Sequence, residues 1–221
     1  MNRNTGFLIL LSVVIFSCSP ARFVKPLAKK QQAVDVSLGG PLFKYDHTTI
    51  PMPFVWATYG YGIDSTLTGF GAINITSALY GNFQLELGVT KQVVKQRGVL
   101  PAVSVIPVAN IIYRNKVATK FYPQLDIYTF WEYGKKRNWF YVGVNNWFEL
   151  AKKRSLDQEQ QNHWIFTPVA GHSFVGKKWN INLEAKVIAP FISNEKLVVE
   201  YQTPFNNNGA LGVYVGYTRK F

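Results

Sequence analysis

The chain has 221 residues, with 24 Lys and Arg against 12 Asp and Glu, a net charge of +12. Only 16% of residues are charged, well under the roughly 25% of ordinary soluble domains, and 15% are aromatic. Scarce, one-signed charge with many aromatics fits a surface facing anionic lipid; a single cysteine, Cys18, excludes an internal disulfide framework.

Arg3 is the only charge before Arg22, and residues 6–16 form a run of apolar, small and hydroxyl residues, GFLILLSVVIF. That is a short positive n-region and an h-region of signal-peptide length, too short for a transmembrane helix. The run stops at Ser17-Cys18-Ser19-Pro20. Ile15-Phe16-Ser17-Cys18 resembles a bacterial lipobox, in which the cysteine is lipidated and becomes the first residue of the mature protein. The resemblance implies residues 1–17 as signal peptide and Cys18 as an acylation site. Residues 18–32 are then a lipidated tether, since ARFVKPLAKKQQ is polar and basic.

From residue 33 to 221 the chain reads as strands. In residues 179–189, Trp179, Ile181, Leu183 and Val187 alternate with Asn180, Asn182, Glu184 and Lys186. This period of two puts apolar side chains on one face and polar ones on the other. Ten such runs occur, near 33–39, 53–61, 65–76, 82–90, 102–114, 119–133, 138–150, 163–175, 178–190 and 209–221. Strand counts of 8 and 12 are the neighbouring options. The fold expected is an all-β, antiparallel up-and-down transmembrane β-barrel of about ten strands. The alternative is a soluble all-β lipoprotein with a lipocalin-like core, whose apolar face turns inward.

Three features favour the membrane. Aromatics flank charged turns: Trp131 and Tyr133 precede Gly134-Lys135-Lys136-Arg137, with Trp139 and Phe140 after it, and Phe174 and Trp179 bracket Gly176-Lys177-Lys178. Girdles of this kind mark both interfaces of a membrane barrel. Connections at 62–64, 134–137 and 176–177 are short, whereas 40–52, 151–162 and 191–208 are long; short periplasmic turns and long outer loops are the barrel rule. The link 91–101 breaks that rule. Lastly, Val213, Val215, Tyr217 and the final Phe221 resemble the C-terminal strand signal of outer-membrane barrels, which implies recognition by the assembly machinery.

On this reading the polar face lines the lumen. Glu86, Arg114, Asp126, Glu132, Glu149, Glu184 and Lys186 are candidates for a buried network that plugs the barrel, with Lys186 or Arg114 as the partner of Glu184. Carboxylates outnumber bases among the inward positions. The alternative is an acid-lined path or ligand site. Lys135, Lys136, Arg137, Lys177 and Lys178 fall at the periplasmic rim, and Lys152, Lys153 and Arg154 at the outer rim, placed to meet phospholipid and lipopolysaccharide phosphates.

No catalytic set is evident and no cofactor is implied. His47, His163 and His172 are not spaced as a metal site, and His172 and Ser173, being adjacent, point to opposite faces of a strand. The expectation is a lipid-anchored outer-membrane barrel of a Gram-negative-type bacterium. It acts as a structural or accessory subunit with an envelope protein partner, contacts outer-membrane lipid and lipopolysaccharide, and binds no nucleic acid. A narrow channel or ligand-binding barrel, and a lipid-modifying enzyme, are the alternatives.

Overall fold

A computed structural model describes residues 19–115, 117–135, 137–152, 159–195 and 199–221. Its strands are β1 (Gln32–Tyr45), β2 (Thr48–Pro51), β3 (Phe54–Asp64), β4 (Leu67–Asn74), β5 (Asn82–Val94), β6 (Ala102–Arg114), β7 (Val117–Tyr133), β8 (Asn138–Phe148), β9 (Trp164–Val175), β10 (Trp179–Ser193) and β11 (Asn208–Lys220). Among the described residues one helix, α1 (Ile75–Leu79), joins β4 to β5.

Alternation makes the strands and also closes them. Each strand pairs antiparallel with its neighbour, and β1 pairs on one side with β3 and on the other with β11. Asp35 stands opposite Thr58 on β3 and opposite Thr218 on β11. The result is a closed ten-stranded barrel in which no wall strand is left as a free edge. The ten strands correspond one for one with the ten alternating runs.

Two details differ from the pattern. β2 pairs only with Leu42–Tyr45, so β1 and β2 form a hairpin that projects beyond the wall. The run near 65–76 ends sooner, because the Asn74 side chain accepts from the Ser77 N–H at 2.9 Å and caps α1.

Direction along the barrel is set by the chain. Gln32 and Lys220 lie at one end, the near end, with the connections 65–66, 95–101, 134–137 and 176–178. At the other, far end are the β1–β2 hairpin, α1 and the longer connections 149–163 and 194–207. The link that broke the short-turn rule is shorter than its pattern suggested, because β5 continues to Val94. Its remainder folds back on β7: Gln96 exchanges hydrogen bonds with the Glu132 backbone, and Trp131 donates to the Val99 carbonyl.

The wall decides between lipid and water outside. Leu183 is 45% exposed and Val215 44%, whereas Glu86 is 1% exposed. Val34, Val36, Leu38, Leu87, Ile127 and Val142 are likewise exposed, and Gln84, Asn110, Asp126, Asn145 and Lys186 are buried. A soluble barrel has the opposite polarity; an apolar exterior around a polar interior belongs to a transmembrane barrel. The near-end girdle forms through outward neighbours. Trp131 stacks on Phe140 at 4.9 Å, and the Tyr133 hydroxyl lies 2.6 Å from His172 Nε2.

Trp139 corrects the girdle reading. It is 7% exposed and turns inward, packing on Phe130 and Tyr141. Adjacent strand residues cannot share a face, so with Phe140 in the girdle Trp139 must enter the lumen.

Candidate functional site

The lumen is occupied by the chain itself. Residues 19–31, whose composition reads as a tether, run inside the barrel from the near end toward its middle. Gly62 accepts from the Lys30 N–H at 2.7 Å and donates to the Gln31 carbonyl at 2.9 Å, which fixes the point of entry at the end of β3. The Leu27 N–H then donates to Thr68 Oγ1 at 2.8 Å. Val24 is 2% exposed in a cluster with Phe70, Ile106, Tyr128 and Phe130. Apolar spacing explains the fit: Val24 and Leu27 bury, while Arg22 and Lys25 reach for carboxylates.

Two glycines of β3 make room. A Cβ on Gly60 would meet the Phe23 ring at 2.4 Å, and one on Gly62 would meet the Ala28 carbonyl oxygen at 2.0 Å. No larger residue at 62 leaves the segment where it is.

Arg22 is the deepest charge of the segment. Its Nη2 lies 2.8 Å from Glu86 Oε2, with side chains 4% and 1% exposed. Nη1 donates to the Pro20 carbonyl at 2.6 Å, and the guanidinium lies 4.6 Å over the Trp56 ring. Lys25 pairs with Glu132 at 2.7 Å, a carboxylate that Arg137 also meets at 2.7 Å. The wall's surplus of carboxylates is therefore answered by bases of the N-terminal segment.

A second network lies beside it. Glu184 accepts from the Ala21 N–H at 3.1 Å and from the Tyr141 hydroxyl at 2.7 Å, and stands 3.3 Å from Lys186 Nζ. Lys186 donates to the Ser19 carbonyl and to Asn145 Oδ1, both at 2.7 Å. Asn145 donates to the Tyr128 hydroxyl at 2.6 Å. Asp126 accepts from Gln124, and Gln124 from Asn110 at 2.9 Å, extending the polar lining around the wall. Buried charge of this density persists only when paired and hydrogen-bonded.

Of the sequence candidates, Glu86, Asp126, Glu184 and Lys186 lie inside, and Glu132 holds the near rim. Glu149 lies at the far end, accepting from the Ala151 N–H at 2.8 Å. Arg114 sits at the far end of β6 opposite Asn82 and Val117, away from Glu184, whose partner is Lys186. Lys135, Arg137, Lys177 and Lys178 are exposed at the near end, and Lys152 is exposed at the far end. Cys18, Lys136, Lys153 and Arg154 lie outside the described residues. Arg22, Lys25, Trp56 and Tyr141 were not among the candidates; the acid excess of the wall was the one signal that called for cations from elsewhere.

Ser173 is fully buried on the inner face, and His172 lies outside against Phe174 at 4.2 Å. His163 Nδ1 lies 2.8 Å from the Glu149 carbonyl oxygen. Among the described residues no group of three His, Cys, Asp or Glu could hold a metal ion.

No protein-family model matches the chain, and no curated protein matches it. Similar solved structures exist. An outer membrane channel from Pseudomonas putida F1 is 10% identical, with 92% of this chain and 100% of that chain covered and a TM-score of 0.48. The translocator domain of the autotransporter NalP from Neisseria meningitidis is 8% identical, with 99% and 95% covered and a TM-score of 0.45. The outer membrane protein OprG from Pseudomonas aeruginosa is 10% identical, with 90% and 99% covered and a TM-score of 0.32.

Proposed function

We propose that this protein is an outer-membrane β-barrel kept shut by its own N-terminal segment, and that it serves as a structural or accessory subunit of an envelope complex. The observation that carries the reading is the seat of Arg22: a buried guanidinium paired with Glu86 inside the wall. A barrel of about ten strands is narrow enough for side chains to fill, and here a backbone segment and inward aromatics fill it together. Such a lumen leaves the loops and the outer wall as the surfaces for function. Tyr45, Phe191 and Phe205, which are 66%, 81% and 59% exposed at the far end, suit contact with a protein partner.

The near-rim bases Lys135, Arg137, Lys177 and Lys178 suit phospholipid phosphates, at about 1 kcal/mol each. Acylation of Cys18 belongs to the same proposal, and Cys18→Ser should abolish acyl labelling of the chain.

No hydrolytic step is proposed, because Ser173 and His172 face opposite sides of the wall. The channel reading keeps one observation in its favour, the cavity beside the segment described below.

Affinity purification of the intact chain from envelopes in mild detergent, followed by native mass determination, tests the accessory role. A stoichiometric protein partner is the expected result. Elution as a lone barrel contradicts that role.

A further inference from the structure

Between the seated segment and the wall lies a cavity of about 220 Å³, lined at the near end by residues of β1, β3, β8, β9, β10 and β11. That is room for several water molecules or one small solute. Two ionic groups on its lining set it apart. Asp35 accepts from Thr218 at 2.7 Å and from Asn182 at 3.3 Å, and both bonds fall on Oδ2. Lys220 donates to Asn180 Oδ1 at 3.0 Å and to the Gly176 carbonyl at 3.4 Å. Among the described residues neither makes a salt bridge, although Arg22 acts on Asp35 and Lys25 on Lys220 through their charge across the cavity, whereas Arg22, Lys25, Glu86, Glu132, Glu184 and Lys186 are all in salt bridges.

The register places these groups. Asp35, Thr218 and Asn180 form one rung across three strands, with Thr218 in the middle. The outer members of such a rung are about 10 Å apart at the backbone, and Lys220 reaches back to its Asn180 end. A carboxylate and an ammonium therefore flank one small polar space, with Trp139 and Tyr141 on its lining.

We propose that this cavity binds a small zwitterion of amino-acid size. The solute's ammonium meets Asp35 Oδ1, its carboxylate meets Lys220 Nζ, and the aromatic rings cover its carbon skeleton. Charge-assisted hydrogen bonds at both ends make the site selective for molecules carrying both charges. The proposal rests on the seated segment, because Phe23 and Lys25 supply the opposite side of the cavity.

The test is calorimetric titration of the detergent-purified intact chain with L-alanine, ethylamine and propionate. Saturable binding of L-alanine is expected, with ethylamine and propionate weaker by about tenfold or more. Asp35→Asn and Lys220→Gln should each weaken L-alanine binding by a similar factor, and Val175→Trp, which fills the lining without changing charge, should abolish it. Heat-modifiable migration in gel electrophoresis verifies that each variant is folded. Equal binding of all three solutes, no saturable binding, or binding indifferent to both charge variants overturns the proposal. The same preparation is probed by limited proteolysis of residues 19–31. Absence of binding with those residues protected defeats the ligand claim while leaving the closed lumen intact; cleavage there defeats both.

Discussion

Single residues carry the closure of this barrel, and Arg22 carries most. Its guanidinium cannot be removed without leaving Glu86 buried and alone, a change of the kind that destabilises by about 3–5 kcal/mol. Arg22→Met should therefore lower the thermal midpoint of the folded barrel strongly, while Arg22→Met with Glu86→Gln should recover much of the loss. A double-mutant cycle read by heat-modifiable migration measures the coupling; additive effects would mean that the two side chains do not meet. Tyr141→Phe removes one donor from Glu184 and should cost about 1–3 kcal/mol by the same measurement. The residue scale is also where the sequence was least legible. Glu86, Asp126, Glu184 and Lys186 could be placed inside by parity alone. Arg22 could not, because a short basic stretch after an export signal looks the same whether it lies in water or in a lumen. Trp139 misled for a different reason: a tryptophan beside a charged turn suits a girdle, and only the rule of alternate faces, applied to Phe140, sends it inward.

At the scale of elements, the alternation of ten runs was enough to define ten strands, since period-two patterning fixes both the strand and its face. What it could not reveal was the element without periodicity. Residues 19–31 form neither helix nor strand with the wall, and their place depends on long-range partners such as Thr68, Glu132 and Glu184. The short hairpin of β1 with β2 and the five residues of α1 were also hidden, being decided by local capping and turn geometry over a few residues. The segment's seat makes a steric prediction. Gly62→Val places a side chain where the Ala28 carbonyl lies, 2.0 Å from a Cβ. The barrel should still fold, since residue 62 lies at the near end of β3, but the segment should be displaced. In planar bilayers the unaltered chain should be electrically silent and Gly62→Val should show discrete conductance steps. Silence in both, with protease access to residues 19–31 unchanged, would contradict the packing described.

For the whole molecule, the balance of faces matters more than any contact. An apolar outer belt requires lipid, and a polar interior requires partners; the carboxylate excess of the wall obtains them from a segment that carries Arg22 and Lys25. Leu183→Arg puts a charge on the lipid face of β10 and should destabilise the barrel by about 2–4 kcal/mol if it lies near the bilayer midplane. Refolding into vesicles of defined lipid, followed by gel migration, reads that difference. An unaffected variant would mean that this face is covered by protein. The measurement that bears most directly on the closed lumen is disulfide trapping in cells of a chain carrying Leu27→Cys and Thr68→Cys with Cys18→Ser. The Leu27 N–H donates to Thr68 Oγ1 at 2.8 Å, which puts the two residues in contact, so the paired cysteines should be bridged in the membrane-assembled barrel by oxidation or by a short thiol crosslinker. A folded barrel in which both thiols remain free to alkylation would contradict the account.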